Sequence, residues 1–174
     1  IPDVAYRLAE RFWPGPLTMV LKRASPVSDL LTGGQDTIGV RVPGHPVAQR
    51  LLRAFGGGIA APSANKFGKL SPTTAAHVRA ELGDAVDMIL DGGDCEVGIE
   101  STIVDCSRVV PVLLRPGMVT PAQIEAVCGQ PLRERDEAAP RASGTLESHY
   151  APRARVRLMD GQQMSPTTVK PHNP

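Results

Sequence analysis

The sequence predicts a mixed α/β domain in which an open sheet is flanked by helices. Three observations carry that reading. Apolar runs of strand length alternate with stretches of helical period, as where "TIGVRVP" is followed by "PVAQRLLRAFG". Other apolar runs follow one another directly, as "STIVDCS" and "VPVLLRPG" do, so parallel and antiparallel connections are mixed. Seventeen Gly and 17 Pro supply the turns, and 41% hydrophobic residues in a chain of 174 suffice for a core.

The elements follow in order. Residues 2–12 place Val4, Ala5, Leu8 and Phe12 on one helical face. "WPGP" ends that helix, because proline cannot continue it and glycine turns the chain. "LTMVLKR" is a first strand, and "ASPVSDLLTGGQD" is a connection with one helical turn. "TIGVRVP" is a second strand, in which Val40 and Val42 alternate with Arg41. From Pro46 a helix runs with proline at its start and glycine just past its end. "GGIAAPSA" reads as a third strand entering a loop, and "SPTTAAHVRAELG" as another helix. "AVDMILDGG", "STIVDCS" and "VPVLLRPG" read as the fourth, fifth and sixth strands. "TPAQIEAVCG" is a helix capped by Thr120 and stopped by Gly129. Beyond it, "QPLRERDEAAPRASGTLES" has few large apolar residues and reads as a linker. A new segment with a strand at residues 155–159 starts after "HYAP", and the end of the chain shows no core pattern. The organisation expected is a domain over 1–130, a linker over 131–153 and the start of a second unit over 154–174.

Composition and motifs exclude several classes. A net charge of +1 gives no overall attraction to nucleic acid, and six aromatics are too few for a base-stacking surface. Three widely spaced cysteines fit neither a disulfide framework nor a zinc knuckle, so buried thiols in a reducing cytoplasm are expected. No apolar run has membrane-spanning length. There is no phosphate-binding Gly-x-x-x-x-Gly-Lys-Ser/Thr loop, no Gly-x-Gly-x-x-Gly fingerprint and no nucleophile elbow. The four histidines are scattered: His77 reads as a helix surface residue and His45 as a helix-start residue. No catalytic base or metal ligand is therefore assigned.

Polar residues at strand ends remain. Arg41 interrupts an apolar strand, and a guanidinium fixed there can grip a carboxylate or phosphate with two prongs. Arg115 repeats the pattern in "LLRPG". Glu100, Ser101 and Thr102 open a strand after a glycine-rich, acidic loop. The stretch "APSANKFGKLSPT" packs Ser63, Asn65, Lys66, Lys69, Ser71 and Thr73 into a loop where an apolar run ends, the usual ligand position in open α/β sheets. Two arginines and several hydroxyls at the borders of an apolar sheet suit a small anionic ligand.

Taken in order, "FWPGPLTMVL", "TIGVRVPGHP", "APSANKFGKLSPT", "GIESTIVD" and "LLRPG" resemble the threonylcarbamoyl-AMP synthases of the YrdC-like fold. The resemblance covers residues 1–129, and "SHYAP" is similar to the linker motif of the longer, two-domain members. It implies a YrdC-like twisted open mixed sheet whose N-terminal part lies outside this sequence. It also implies a cytoplasmic nucleotidyltransferase that joins L-threonine, bicarbonate and ATP into threonylcarbamoyl-adenylate and releases pyrophosphate. Partner proteins would then transfer that group to tRNA, forming threonylcarbamoyladenosine. By the matching motifs, Arg41 would hold the threonine carboxylate, with Ala61 and Ser101 completing the amino-acid pocket. Thr37, Ser63 and Ser71 would line the nucleotide site, Arg115 would face the ATP phosphates, and Tyr150 would fold back over the nucleotide. Asn65 would brace the loop, and Mg2+ would accompany ATP.

The chemistry agrees with those roles. Condensing an acid onto an α-phosphate needs alignment and charge neutralisation more than a protein base, and alignment alone can supply roughly 7–11 kcal/mol. About twenty residues separate Gly129 from Tyr150 and can span at most roughly 70 Å, against a domain radius of gyration of about 14 Å, so a tyrosine lid can reach the site. The sequence departs from the family in lacking the preceding strand with its threonine-binding threonine and the basic Lys-x-Arg-like segment. The expectation is a fragment that is inactive or nearly so by itself. Two rivals are a carbamoyl-transfer domain of hydrogenase maturation, against which "SHYAP" speaks, and a double-stranded RNA-binding module. Steeply salt-dependent RNA binding would mark the second.

Overall fold

Four strands meet in one sheet, and the chain's apolar periods explain which way each faces. The computed structural model describes residues 1–66 and 68–144. Helix α1 (Asp3–Phe12) leads into β1 (Leu17–Lys22), a short helix α2 (Asp29–Thr32) and β2 (Thr37–Val40). Helices α3 (Pro46–Phe55) and α4 (Ala75–Leu82) follow, the latter ending in a 3-10 turn at Gly83–Ala85. Strands β3 (Thr102–Asp105) and β4 (Val112–Arg115) and helix α5 (Pro121–Cys128) complete the series. The sheet order is β2-β1-β3-β4, with β1 antiparallel to β2, parallel to β3, and β3 antiparallel to β4. A mixed α/β sheet with flanking helices is thus what the chain forms.

One face of the sheet carries the main core. Leu17, Met19 and Leu21 of β1 and Val104 of β3 pack with Ala5 and Leu8 of α1 and with Ile124 and Cys128 of α5. Leu8, Leu17, Met19, Val104 and Ile124 are almost wholly removed from water, and each large apolar side chain so buried stabilises by about 1.5–3 kcal/mol. Arg7 of α1 donates to the Cys128 carbonyl at 3.3 Å, which joins the two helices. Thr120 caps α5 by accepting from the Gln123 N–H while Gln123 Oε1 accepts from the Thr120 N–H, a capping box. Gly129 ends α5 at φ 71°, a left-handed conformation that costs glycine little.

The opposite face holds a smaller cluster of Val20, Ile103, Val112 and Leu114, with Ala139 and Ala142 packed on it. Those alanines belong to residues 131–144, which lie along the sheet. The Leu113 N–H donates to the Arg133 carbonyl at 3.0 Å, and the Arg133 N–H donates to the Pro111 carbonyl at 3.0 Å. Arg108 donates to both oxygens of Asp136 at 2.9 Å. Its Nε also faces the fully buried Asp105 at 3.1 Å, as an ion pair without hydrogen-bond alignment. Further on, the Arg141 N–H donates to Gln35 Oε1 at 2.7 Å and its guanidinium to the Gly33 carbonyl at 3.1 Å.

Two expected strands are absent. "GGIAAPSA" and "AVDMILDGG" are irregular, so the described residues carry four sheet strands instead of six. Ile59, Met88 and Leu90 are exposed by 40%, 76% and 52%, and neither segment has a ladder partner among the described residues. An apolar run becomes a strand only where a neighbour takes its backbone hydrogen bonds. Strand β2 also stops at Val40, one residue before Arg41. Cys106 and Cys128 are buried free thiols as expected, whereas Cys95 is exposed. The expected strand at 155–159 lies outside the described residues.

Candidate functional site

The second face of the sheet ends in a cluster of hydroxyls and guanidinium groups. Its placement follows from register. Lys22 pairs with Thr37 and Val20 with Gly39, and residues directly opposite each other share a face, so Thr37 and Gly39 lie on the side of Thr18, Val20 and Lys22. Parallel pairing of β1 with β3 brings the start of β3, with Ser101 just before it, beside Thr18. Thr18 Oγ1 and Ser101 Oγ are 3.0 Å apart, within hydrogen-bond reach. The end of β4 then delivers Arg115 to the same place.

Arg115 is held by its surroundings. Its Nε and Nη2 both donate to the Ser101 carbonyl, at 3.0 and 2.8 Å, and Nη2 also donates to Ser101 Oγ at 3.1 Å. Nη1 donates to the Ser143 carbonyl at 3.1 Å, which ties the segment after α5 to this arginine. Glu100 Oε2 stands 3.5 Å from Nη2. Gly117 permits the approach of the β4 turn, because a Cβ there would lie 2.5 Å from the Glu100 carbonyl oxygen and from the Thr102 nitrogen. Thr102 clasps the same turn: its buried hydroxyl donates to the Val119 carbonyl at 2.8 Å and accepts from the Val119 N–H at 3.0 Å.

Arg41 stands at the other side of the cluster, its Nε donating to the Gly15 carbonyl at 3.0 Å. The residue is exposed as a whole, but protein atoms crowd its guanidinium. That partial burial holds its pKa below the ordinary arginine value; Glu100 acts against the shift and Arg115 adds to it. Two cations and one carboxylate therefore face one region, leaving it net positive.

The remaining expected residues divide. Ser71 joins the cluster, donating from Oγ to Glu100 Oε1 at 2.6 Å. Ser101 is buried at its centre. Thr37 shares the face and is buried, but four residues before Arg41 it lies roughly 13 Å away along the strand direction. Ala61 and Ser63 sit exposed on the loop before Ser71. Asn65 does bridge that loop, donating from Nδ2 to the Lys66 carbonyl at 2.9 Å and the Lys69 carbonyl at 3.1 Å. Tyr150 lies outside the described residues. His45 caps α3 by accepting from the Val47 N–H, and His77 is exposed on α4. Thr18 was not singled out from the sequence, though a lone hydroxyl in the apolar run "LTMVL" is the signal that marks it.

Among the described residues, no group of three His, Cys, Asp or Glu side chains is placed to hold a metal ion. No helix among them is long and apolar enough to cross a membrane. The geometry offers two separated guanidinium groups, one on each side of a row of hydroxyls. That arrangement can hold a ligand with two anionic ends, or two anionic ligands side by side.

Comparison with known proteins places the chain in a family. A family model of the Sua5, YciO and YrdC proteins, described as telomere recombination, fits residues 1–117. A second, described as the C-terminal domain of threonylcarbamoyl-AMP synthase, fits residues 119–173. The threonylcarbamoyl-AMP synthase of Pyrococcus abyssi is 43% identical over 166 residues, covering 92% of this chain and 49% of the relative. That of Bacillus subtilis is 43% identical, covering 92% and 48%. The chain thus spans about half the length of these curated relatives. The crystal structure of Pyrococcus abyssi Sua5 complexed with L-threonine superposes with a TM-score of 0.81 at 44% identity, over 87% of this chain and 46% of that one. Escherichia coli YciO superposes with a TM-score of 0.61 at 31% identity, over 68% and 58%. The chain belongs to the family of Sua5, YciO and YrdC proteins, which includes the threonylcarbamoyl-AMP synthases.

Proposed function

We propose that this chain forms part of an L-threonylcarbamoyladenylate synthase, which makes threonylcarbamoyl-AMP and pyrophosphate from L-threonine, bicarbonate and ATP. The observation that carries the reading is the pair of positioned arginines, Arg41 and Arg115, flanking the Thr18, Ser101 and Ser71 hydroxyls. A relative of 44% identity has been crystallised with L-threonine, which supports an amino-acid ligand at this site. In the proposed complex Arg41 takes the threonine carboxylate, with Ala61 and Ser101 lining the amino-acid pocket. Arg115 takes the phosphates, Ser71, Ser63 and Thr37 line the nucleotide, and Tyr150 closes over it.

The work assigned to these residues is positioning. Arg115 is preorganised by its two bonds to the Ser101 carbonyl, so little reorganisation is needed as negative charge develops on the oxygens of the phosphate being attacked. The Ser101 hydroxyl already accepts from Arg115, which leaves its own proton for Thr18 or for a substrate oxygen. Magnesium is proposed to enter on the triphosphate oxygens, where it would neutralise charge. The product would pass to proteins that modify tRNA in the cytoplasm.

Titration of L-threonine into the chain and into Arg41→Lys tests the reading. Lysine keeps the charge and loses the two-pronged geometry, so binding should weaken about tenfold or more. Equal affinity of the two proteins would count against the assignment of Arg41.

A further inference from the structure

We propose that Glu100 is a positioning residue for the nucleotide half of the site, tying the Ser71 loop to the strand end that presents Arg115. The proposal rests on the ATP and L-threonine reading above and adds to it a residue to which that reading gives no role. The carboxylate is shared: Oε1 accepts from Ser71 Oγ at 2.6 Å, and Oε2 lies 3.5 Å from Arg115 Nη2. The first is a short, charge-assisted hydrogen bond of the stronger kind. The second is an ion pair with an arginine whose side chain is 11% exposed, where solvent screens less than at an open surface.

Among its described residues, the loop around Ser71 has few other holds on the sheet. Asn65 bonds within the loop, the Lys66 N–H donates to Glu81 of α4 at 3.2 Å, and the Thr73 carbonyl accepts from the Cys95 N–H at 2.8 Å. Ala61, Ser63, Lys66, Lys69 and Leu70 are exposed. Among the described residues, the hydrogen bond that crosses from the loop to the start of β3 is the one from Ser71 to Glu100. Glu100 directly precedes Ser101, whose carbonyl holds Arg115. One carboxylate thus sets the spacing between the hydroxyl proposed for the nucleotide and the guanidinium proposed for its phosphates. It also offsets part of the repulsion between Arg41 and Arg115, as the opposed effects of Glu100 and Arg115 on Arg41 show.

The test compares Glu100→Ala, Glu100→Gln and Ser71→Ala by calorimetric titration with ATP and, separately, with L-threonine. Glu100→Ala should weaken ATP binding about tenfold and change L-threonine binding less than about twofold. Glu100→Gln keeps an acceptor for Ser71 and should recover most of the lost affinity. The double variant Glu100→Ala with Ser71→Ala should lose less ATP affinity than the two single losses added together, because the two residues act in part through the hydrogen bond they share. Amide hydrogen exchange of residues 69–73 in the ligand-free chain should quicken in Glu100→Ala while β1 and β3 stay protected. Unchanged ATP affinity, equal losses for both ligands, or fully additive effects would overturn the proposal while leaving the parent reading intact. A parent chain that binds neither ligand would overturn both, and unchanged exchange would remove the tie itself.

Discussion

Replacing Thr102 with valine tests whether a single hydroxyl holds the turn on which the site is built. Thr102 is wholly buried, and its hydroxyl satisfies both backbone groups of Val119, which is itself 5% exposed. Valine has nearly the same shape but leaves that N–H and that carbonyl without their partner. Each unsatisfied buried group costs about 1–3 kcal/mol, and the added apolar methyl returns about 0.8 kcal/mol. The net loss for Thr102→Val should be about 2–4 kcal/mol. Thr102→Ser keeps the hydroxyl and removes one methyl, for a loss of about 1 kcal/mol. In urea unfolding, with a slope of about 2 kcal/mol per molar, the valine variant should lower the midpoint by about 1–2 M and the serine variant by about 0.5 M. Hydrophobic burial alone gives the opposite order. A valine variant as stable as the serine variant would show that the clasp does not hold the β4 turn.

Other consequences are open to direct measurement. Gly117→Ala forces a Cβ to within 2.5 Å of backbone atoms of Glu100 and Thr102, so it should cost about 1–3 kcal/mol in thermal unfolding and weaken ATP binding by shifting Ser101 and Arg115. With a thiol reagent at pH 8, Cys95 should react at once, and Cys106 and Cys128 only after unfolding. Burial first, then Cys128 and Asp105, pushes the Cys106 thiol up to about 12 from 9.0. The folded chain therefore holds this proton where the unfolded chain loses it, so the contribution is fully present below pH 9 and is lost as pH rises to about 12. Within that window stability should fall by up to about 1.4 kcal/mol per pH unit from this group, and Cys106→Ala should show a shallower fall.

Sequence patterns carried the helices and the central strands well, because their signals are local. The α5 boundaries were legible in Thr120 and Gly129, whose capping roles depend on a few adjacent residues. Strands β1, β3 and β4 were legible as apolar runs that find neighbours in the sheet. "GGIAAPSA" and "AVDMILDGG" carry the same kind of run and remain irregular, since pairing is a property of the partner and not of the segment. Within the site, Arg41, Ser101 and Arg115 could be picked out as polar residues at the borders of apolar strands. Thr18 shows in the sequence only as a lone hydroxyl in an apolar run, because its partner Ser101 is 83 residues away and the parallel register of β1 and β3 joins them. The clasp of Thr102 on Val119 and the close approach at Gly117 are likewise products of the folded turn. Residues 131–153 read as a linker for want of large apolar side chains, and within them the small Ala139 and Ala142 fit against Val20, Ile103, Val112 and Leu114, a contact that no apolar run announces.

Arg41 and Arg115 are proposed to frame one site for an amino acid and a nucleotide together. Calorimetric titration of the chain with ATP and magnesium, with and without saturating L-threonine, addresses it most directly. ATP binding should be strengthened by L-threonine, and Arg41→Lys should uncouple it from L-threonine. ATP affinity indifferent to L-threonine, or no binding of either ligand, would contradict it.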